Sequence, residues 1–187
     1  MKQQSDTKLR IAQAFQELTI KKSINNISIT DIMKETKFRR QTFYDYFDDK
    51  YDLVTWIFSH GFSESVKSIL AWENWSDILL HLLVYLERNK TYYKKIFLSV
   101  KLDSFKEYFI YSIKKIVQQL TNDYFKEQFL SADKKQLVQT ATDFYSYGLS
   151  ESLYHWVLEN CEPKSQKYQS MLVQLVEHQT NIKGSDE

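Results

Sequence analysis

Apolar residues recur every three or four positions along most of this chain and seldom alternate, which is the spacing of helices rather than strands. From Asp6 to Lys21, Leu9, Ala12, Phe15 and Leu18 form one stripe, with Ile11 and Ala14 beside them. "SINN" interrupts it. Ser28 then stands three residues before Asp31, a reciprocal capping pattern, so a short helix burying Ile29, Ile32 and Met33 is expected to end near Thr36. Phe38, Phe43 and Phe47 read as the inward residues of the next segment. Asp49 followed by Asp52 repeats the capping pattern and opens a longer helix with Leu53, Trp56, Ile57 and Phe58. Further helices are expected over Trp75–Asn89, Thr91–Val100, Ser104–Phe129, Ala132–Asn160 and Pro163–Ile182. Asn74 with Asp77 caps the first of these, and Pro163 suits a first turn. The last has a regular stripe of Tyr168, Met171, Leu172, Leu175, Val176 and Gln179, and "NIKGSDE" reads as a frayed tail.

Composition supports the helical pattern. The 187 residues include only three glycines and one proline, too few for the many chain reversals of a β architecture. With 43% hydrophobic and 26% charged residues, a packed core is available. A formal net charge of +1 excludes nothing, because a nucleic-acid binder can be neutral overall and basic on one face. The lone Cys161 cannot form an intramolecular disulfide, and His60, His81, His155 and His178 show no metal spacing. Apolar runs are short and broken by charges, and no apolar segment follows a basic start, so a cytoplasmic, reduced protein without a membrane segment is expected. No glycine-rich phosphate loop, metal cluster or nucleophile arrangement is visible, so no catalytic residue and no cofactor is expected.

Positive charge is concentrated locally, in "KFRRQTFYDYFDDK". Two short helices joined by a few residues, the second polar and basic at its start, describe a helix-turn-helix. Residues at that start can enter a major groove, where Arg40 suits guanine and Gln41 adenine. Thr42 suits a thymine methyl or a phosphate, and Tyr44 and Tyr46 suit phosphates. Lys50 offers a charge and a backbone amide to a phosphate, while Ser28 and Thr30 begin the helix that crosses the DNA backbone. Lys37 and Arg39 add charge nearby. A basic and aromatic stretch is ordinarily a solvated helix face, but the capped helices on either side favour the DNA reading. Asp45, Asp48 and Asp49 should then point away or act as caps.

The stretch "SITDIMKETKFRRQTFYDYFDDKYDL" resembles the DNA-binding region of the TetR family, through Thr42, Phe43, Tyr44, Phe47, Lys50 and Leu53. Two positions depart from that pattern. The usual turn glycine is Lys37, where a positive φ is uncommon for a side-chain-bearing residue, and the usual small capping residue is Arg39. The resemblance implies an all-α fold: a three-helix helix-turn-helix domain over residues 1–60, then a helical regulatory and dimerisation bundle over 61–187. It implies a double-stranded operator as partner and a homodimer built from the last two long helices. Tyr145, Gly148, Leu149, Trp156, Met171, Leu172 and Leu175 are the residues expected at that interface. Gly148 costs about 1 kcal/mol relative to alanine inside a helix, and a close helix approach would explain it.

Within the family, "FRRQTFYDYFDDKYDLVTWIF" is most similar to the regulators of dihydroxyacetone kinase operons, some of them activators. That similarity implies a co-activator protein related to the dihydroxyacetone-binding kinase subunit. The alternative within the class is a repressor released by a small ligand in its own C-terminal domain. The many aromatic residues there, among them Trp72, Trp75, Tyr93, Phe105, Phe109, Phe144 and Tyr145, read first as core. A helical enzyme or a structural adaptor are the readings outside the class.

Overall fold

The computed structural model describes residues 2–67, 75–99, 103–125 and 132–181, so the expectations for Trp72, Asn74, Val100, Phe129 and Ile182 lie outside the described residues. The chain forms α1 (Lys2–Lys21), a single 3-10 turn (Ile24–Asn26), α2 (Ile29–Thr36), α3 (Arg40–Tyr44) and α4 (Lys50–Lys67). These are followed by α5 (Trp75–Arg88), α6 (Lys90–Phe97), α7 (Asp103–Phe125), α8 (Ala132–Leu158) and α9 (Ser165–Asn181). No strand occurs among the described residues, so the fold is all-α. Nor is any described helix long and apolar enough to cross a membrane.

Two compact units divide the chain. The first comprises Met1–Gly61 with Thr91–Phe109. Its core joins Phe15 and Ile11 of α1 to Ile32 of α2, Phe43 of α3 and Phe58 of α4, all with no exposed surface. Phe58 is the reason the later segment belongs here. Its ring meets Tyr93, Phe105 and Phe109 at centroid distances of 6.0, 5.8 and 5.4 Å, in edge-on contacts that suit aromatic quadrupoles. The described residues of 91–99 and 103–109 thus group with the N-terminal helices. Tyr92, Tyr93, Phe105 and Phe109 are core, and Phe97 and Tyr108 are half-buried.

On α1 the buried stripe is rotated from the expected one. Ile11, Phe15 and Leu18 are inside together with Ala12 and Ala14, whereas Leu9 is 42% exposed. Ile11, Phe15 and Leu18 follow the i, i+4, i+7 spacing of one helix face, and Leu9 lies off it. Ile29 and Phe38 are only half-buried.

The second unit comprises Phe62–Lys90 with Ile110–Glu187. α5 packs along α9 and buries Leu79, Leu82, Leu83 and Leu86. Cys161 is buried in this unit. Burial, with Glu87 nearby, pushes its thiol up to about 11. α8 ends at Leu158, and Asn160 and Cys161 turn the chain with φ of 62° and 56°. α9 starts at Ser165, two residues past Pro163, so the proline precedes the first turn instead of occupying it. Glu87 on α5 supplies the cap: its carboxylate accepts from the Ser165 amide at 3.0 Å and pairs with Lys164 at 3.3 Å. Partial burial pushes the Glu87 carboxyl up, but the Ser165 and Lys164 hydrogen bonds outweigh it and hold it below its ordinary range.

Candidate functional site

The helix-turn-helix is built from local chemistry. At the start of α2 the Asp31 amide donates to the Ser28 hydroxyl oxygen at 3.1 Å, and the Ser28 amide donates to the Asp31 carboxylate at 2.9 Å. The Ser28 hydroxyl and the Lys22 ammonium donate to the same carboxylate oxygen, at 2.8 and 3.1 Å. The Ser28 bonds first, then Lys22, hold the Asp31 carboxyl down at about 2. The hydroxyl proton of Ser28 is therefore engaged inside the cap, while Thr30 is exposed beside it.

Lys37 ends α2 in the left-handed region, with φ 60° and ψ 12°. This is the conformation for which the family's glycine is suited, adopted here by a lysine. Thr36 braces it: its hydroxyl donates to the Met33 carbonyl at 2.9 Å and accepts from the Phe38 amide at 3.2 Å. Arg39 then takes the extended conformation at the start of α3 and makes no side-chain cap. Phe43 and Phe47 are buried, with ring centroids 5.6 Å apart, and fix one side of the segment in the core. Arg39, Arg40, Gln41 and Tyr44 are left exposed, and Thr42 and Tyr46 half-buried. Arg40 donates to the Tyr44 hydroxyl at 3.2 Å. Lys37, Arg39 and Arg40 have no carboxylate partner among the described residues.

The start of α4 differs in detail from the expected cap. Asp49 accepts from the Tyr51 and Asp52 amides at 2.7 and 2.8 Å, but the Asp52 carboxylate reaches back to the Asp48 amide instead of that of Asp49. Lys50 is held within the fold as well. Its ammonium donates to the carbonyls of Ile24, Ile27 and Asn25 at 2.8, 2.9 and 3.3 Å. That cation ties α4 to the 3-10 turn, so its charge is occupied within the fold. Lys8 of α1, which the sequence did not single out, sits among aromatic rings: its Nζ lies 5.4 Å from the Phe47 centroid, 5.7 Å from Trp56 and 5.9 Å from Tyr46.

In the second unit α8 has an inverted surface. Thr142, Ser146 and Ser150 are buried, while Phe144 is 72% and Tyr147 62% exposed. Gly148 is exposed on the same helix, and a Cβ placed there would meet nothing within 4 Å. Met171 and Leu175 of α9 are also exposed, at 47% and 64%. Tyr145, Leu149 and Leu172 are half-buried and, with Trp75 and Ile116, line an apolar cleft of about 210 Å³. Trp156 does not join this face. It is 2% exposed, donates from Nε1 to the Pro163 carbonyl at 2.8 Å and stacks on Tyr168 at 5.0 Å, because the turn into α9 folds over it. Phe144 and Tyr147, exposed on this helix, were not among the residues expected at an interface. Leu137, Phe144 and Gly148, spaced by seven and four residues, carried the signal. Among the described residues no cluster of His, Cys, Asp and Glu could hold a metal ion.

An all-helical chain with a capped helix-turn-helix followed by a helical unit has the architecture of a transcription regulator. Residues 73–178 match the family described as the transcriptional regulator C-terminal region of TetR type, and the chain belongs to that family. Over 110 residues it is 39% identical to the HTH-type dhaKLM operon transcriptional activator DhaS of Lactococcus lactis subsp. lactis, a match covering 59% of this chain. The chain spans 58% of the length of that curated relative. Among solved structures it resembles the dihydroxyacetone kinase operon activator DhaS, with 27% identity and a TM-score of 0.75 over 94% of this chain and 97% of that one. The fatty acid degradation regulator FadR from Bacillus halodurans shares the fold alone, at 14% identity and a TM-score of 0.58 over 89% and 95% of the two chains. The likeness is to transcriptional regulators, a class without enzymatic activity.

Proposed function

We propose that the protein is a homodimeric regulator that binds a near-palindromic operator and activates a dihydroxyacetone kinase operon, with a sugar-sensing co-activator related to the dihydroxyacetone-binding kinase subunit. One observation carries the DNA reading. α3 is anchored by Phe43 and Phe47 and presents Arg39, Arg40 and Gln41 outward, with Lys37 at the turn and no carboxylate paired to these cations among the described residues. Arg40 and Gln41 read base edges in the major groove. Thr42, Tyr44, Tyr46, the exposed Thr30 and the Lys50 amide hold phosphates, and Ser28 positions Thr30 through the cap.

One such helix contacts too few base pairs for specificity, so two copies must stand about 34 Å apart on the duplex. The exposed Phe144, Tyr147, Gly148, Met171 and Leu175 support α8 and α9 as the joining face, with Tyr145, Leu149 and Leu172 at its edge. The middle of α8, from Thr142 to Ser150, buries hydroxyls and exposes two aromatic rings, an arrangement inside out for a monomer that a second copy corrects.

A repressor released by its own ligand is favoured only by the apolar cleft. Its volume of about 210 Å³ is below the roughly 300–1,000 Å³ usual for small-molecule sites, and it is lined by residues of the same face. A mobility shift with a kinase-operon promoter fragment tests the proposal. Dihydroxyacetone alone should leave the complex intact, whereas adding the co-activator and the sugar should produce a slower complex and more transcript. Release of the DNA by dihydroxyacetone alone would turn the reading to the repressor.

A further inference from the structure

Cations of the first unit fall into two groups. Lys22 is paired with Asp31, Lys50 is held by three carbonyls, and Lys95 donates to the Ile20 carbonyl at 2.6 Å. Their charge is satisfied within the fold. Lys8, like the exposed Lys37 and Arg39, has no hydrogen bond or carboxylate at its charged end among the described residues, but it differs from them in being half-buried. What holds it is the faces of Phe47, Trp56 and Tyr46, at 5.4, 5.7 and 5.9 Å.

A ring face attracts a cation but does not replace the hydrogen bonds that an ammonium makes through its three donors. The rings are themselves held: Phe47 lies against Phe43 at 5.6 Å, and Trp56 stacks on His60 at 4.6 Å. The charge is therefore fixed in place and its counter-charge is missing. Tyr46 brings a phenol hydroxyl to the same cluster and follows directly on the exposed end of α3. An ammonium held over the ring of a tyrosine that follows α3 brings two donor-bearing side chains, of the kinds that suit a phosphate, into one cluster.

We propose that Lys8 is a contact to the DNA backbone, holding with Tyr46 a phosphate beside the base-reading α3, and supplying the charge that the family pattern places on Lys50. The inference rests on the DNA-binding reading above. It makes α1 part of the interface and joins it to the end of α3 through one anion.

The test is the salt dependence of binding, measured on a promoter duplex that the wild type retards and on a scrambled duplex of equal length. Each phosphate neutralised contributes a slope of about 0.9 in log affinity against log salt. Lys8→Met, or Lys8→Gln if the first variant folds poorly, should lower the slope by about that amount per bound copy on both duplexes. Lys8→Arg should restore it. Tyr46→Phe should weaken binding to both duplexes with no change of slope, since it removes a neutral donor. A Lys8→Met protein that is folded by circular dichroism and keeps the wild-type slope overturns the proposal and leaves Lys8 as packing between α1 and the aromatic rings. A wild type whose binding is insensitive to salt overturns the DNA reading itself.

Discussion

Replacing Gly148 with alanine should push stability and assembly in opposite directions. Inside a helix alanine is better than glycine by about 1 kcal/mol. Within one protomer nothing opposes that gain, since a Cβ at position 148 has no neighbour within 4 Å. In a chain of this size 1 kcal/mol raises the melting temperature by about 2–4 °C. The glycine is thus unexplained by the single chain, and the apolar side chains around it point to its purpose: Phe144 and Tyr147 on α8 and Leu175 on α9 are all exposed. If two copies of α8 cross there, each adds a methyl group to a close contact. Overpacking of that kind costs about 1–3 kcal/mol, which weakens association about 5- to 150-fold. Sedimentation equilibrium over a range of concentrations reads the association. The monomer gain is read by melting Gly148→Ala in a Leu175→Lys background, where a lysine on the face keeps the copies apart. A Gly148→Ala protein that is more stable and associates as tightly as the wild type would refute the crossing.

Three further outcomes follow from the same structure. Arg40→Ala or Gln41→Ala should relax base preference by roughly 1–3 kcal/mol at one position, read by competition with mutated operators, whereas Tyr44→Phe should weaken all sequences alike. Lys50→Met should cost about 1.5–3 kcal/mol in denaturant unfolding, because the carbonyls of Ile24 and Ile27 lose a charged donor. The Asp31 carboxyl is lowered from 3.8 to about 2 by folding, so its stabilisation is present above pH 3.8 and is lost as pH falls through 2; Asp31→Asn should remove that part of the acid titration, followed by circular dichroism.

What could be read from the sequence was mostly what acts over a few residues. The Ser28–Asp31 box is a reciprocal pair of bonds and the Asp49 cap a one-way bond from the Asp52 amide, each between residues three apart, and residue type nearly determines them. The left-handed turn at Lys37 was visible as a departure from a known pattern. Lys50 was not readable, because its partners are backbone carbonyls 23 to 26 residues away, and a carbonyl has no side-chain signature. Nor was the placement of residues 91–109, which depends on Phe58 needing aromatic cover from a distant part of the chain. Trp156 shows the limit of stripe reasoning: a helical period says which residues share a face, but the tail of Pro163 and Tyr168 decides what covers it.

The same distinction separates the two faces argued to meet partners. Lys8 and Lys50 are the same residue type, yet the ammonium of Lys50 is satisfied by carbonyls and that of Lys8 only by rings. Ser146 and Phe144 lie two residues apart on α8, with the hydroxyl inside and the ring outside. In each case the informative quantity is the interaction left unmade within the protomer: a fixed cation without an anion, and an aromatic face without cover. In the proposed complex a phosphate satisfies the first and a second copy the second. The two requirements are linked in function, because a joined pair presents its second recognition helix to the duplex at high effective concentration once the first has bound. Charge alone would make each copy a weak, indiscriminate DNA binder. In the proposed dimer, the apolar face on α8 and α9 turns two such weak contacts into one specific complex.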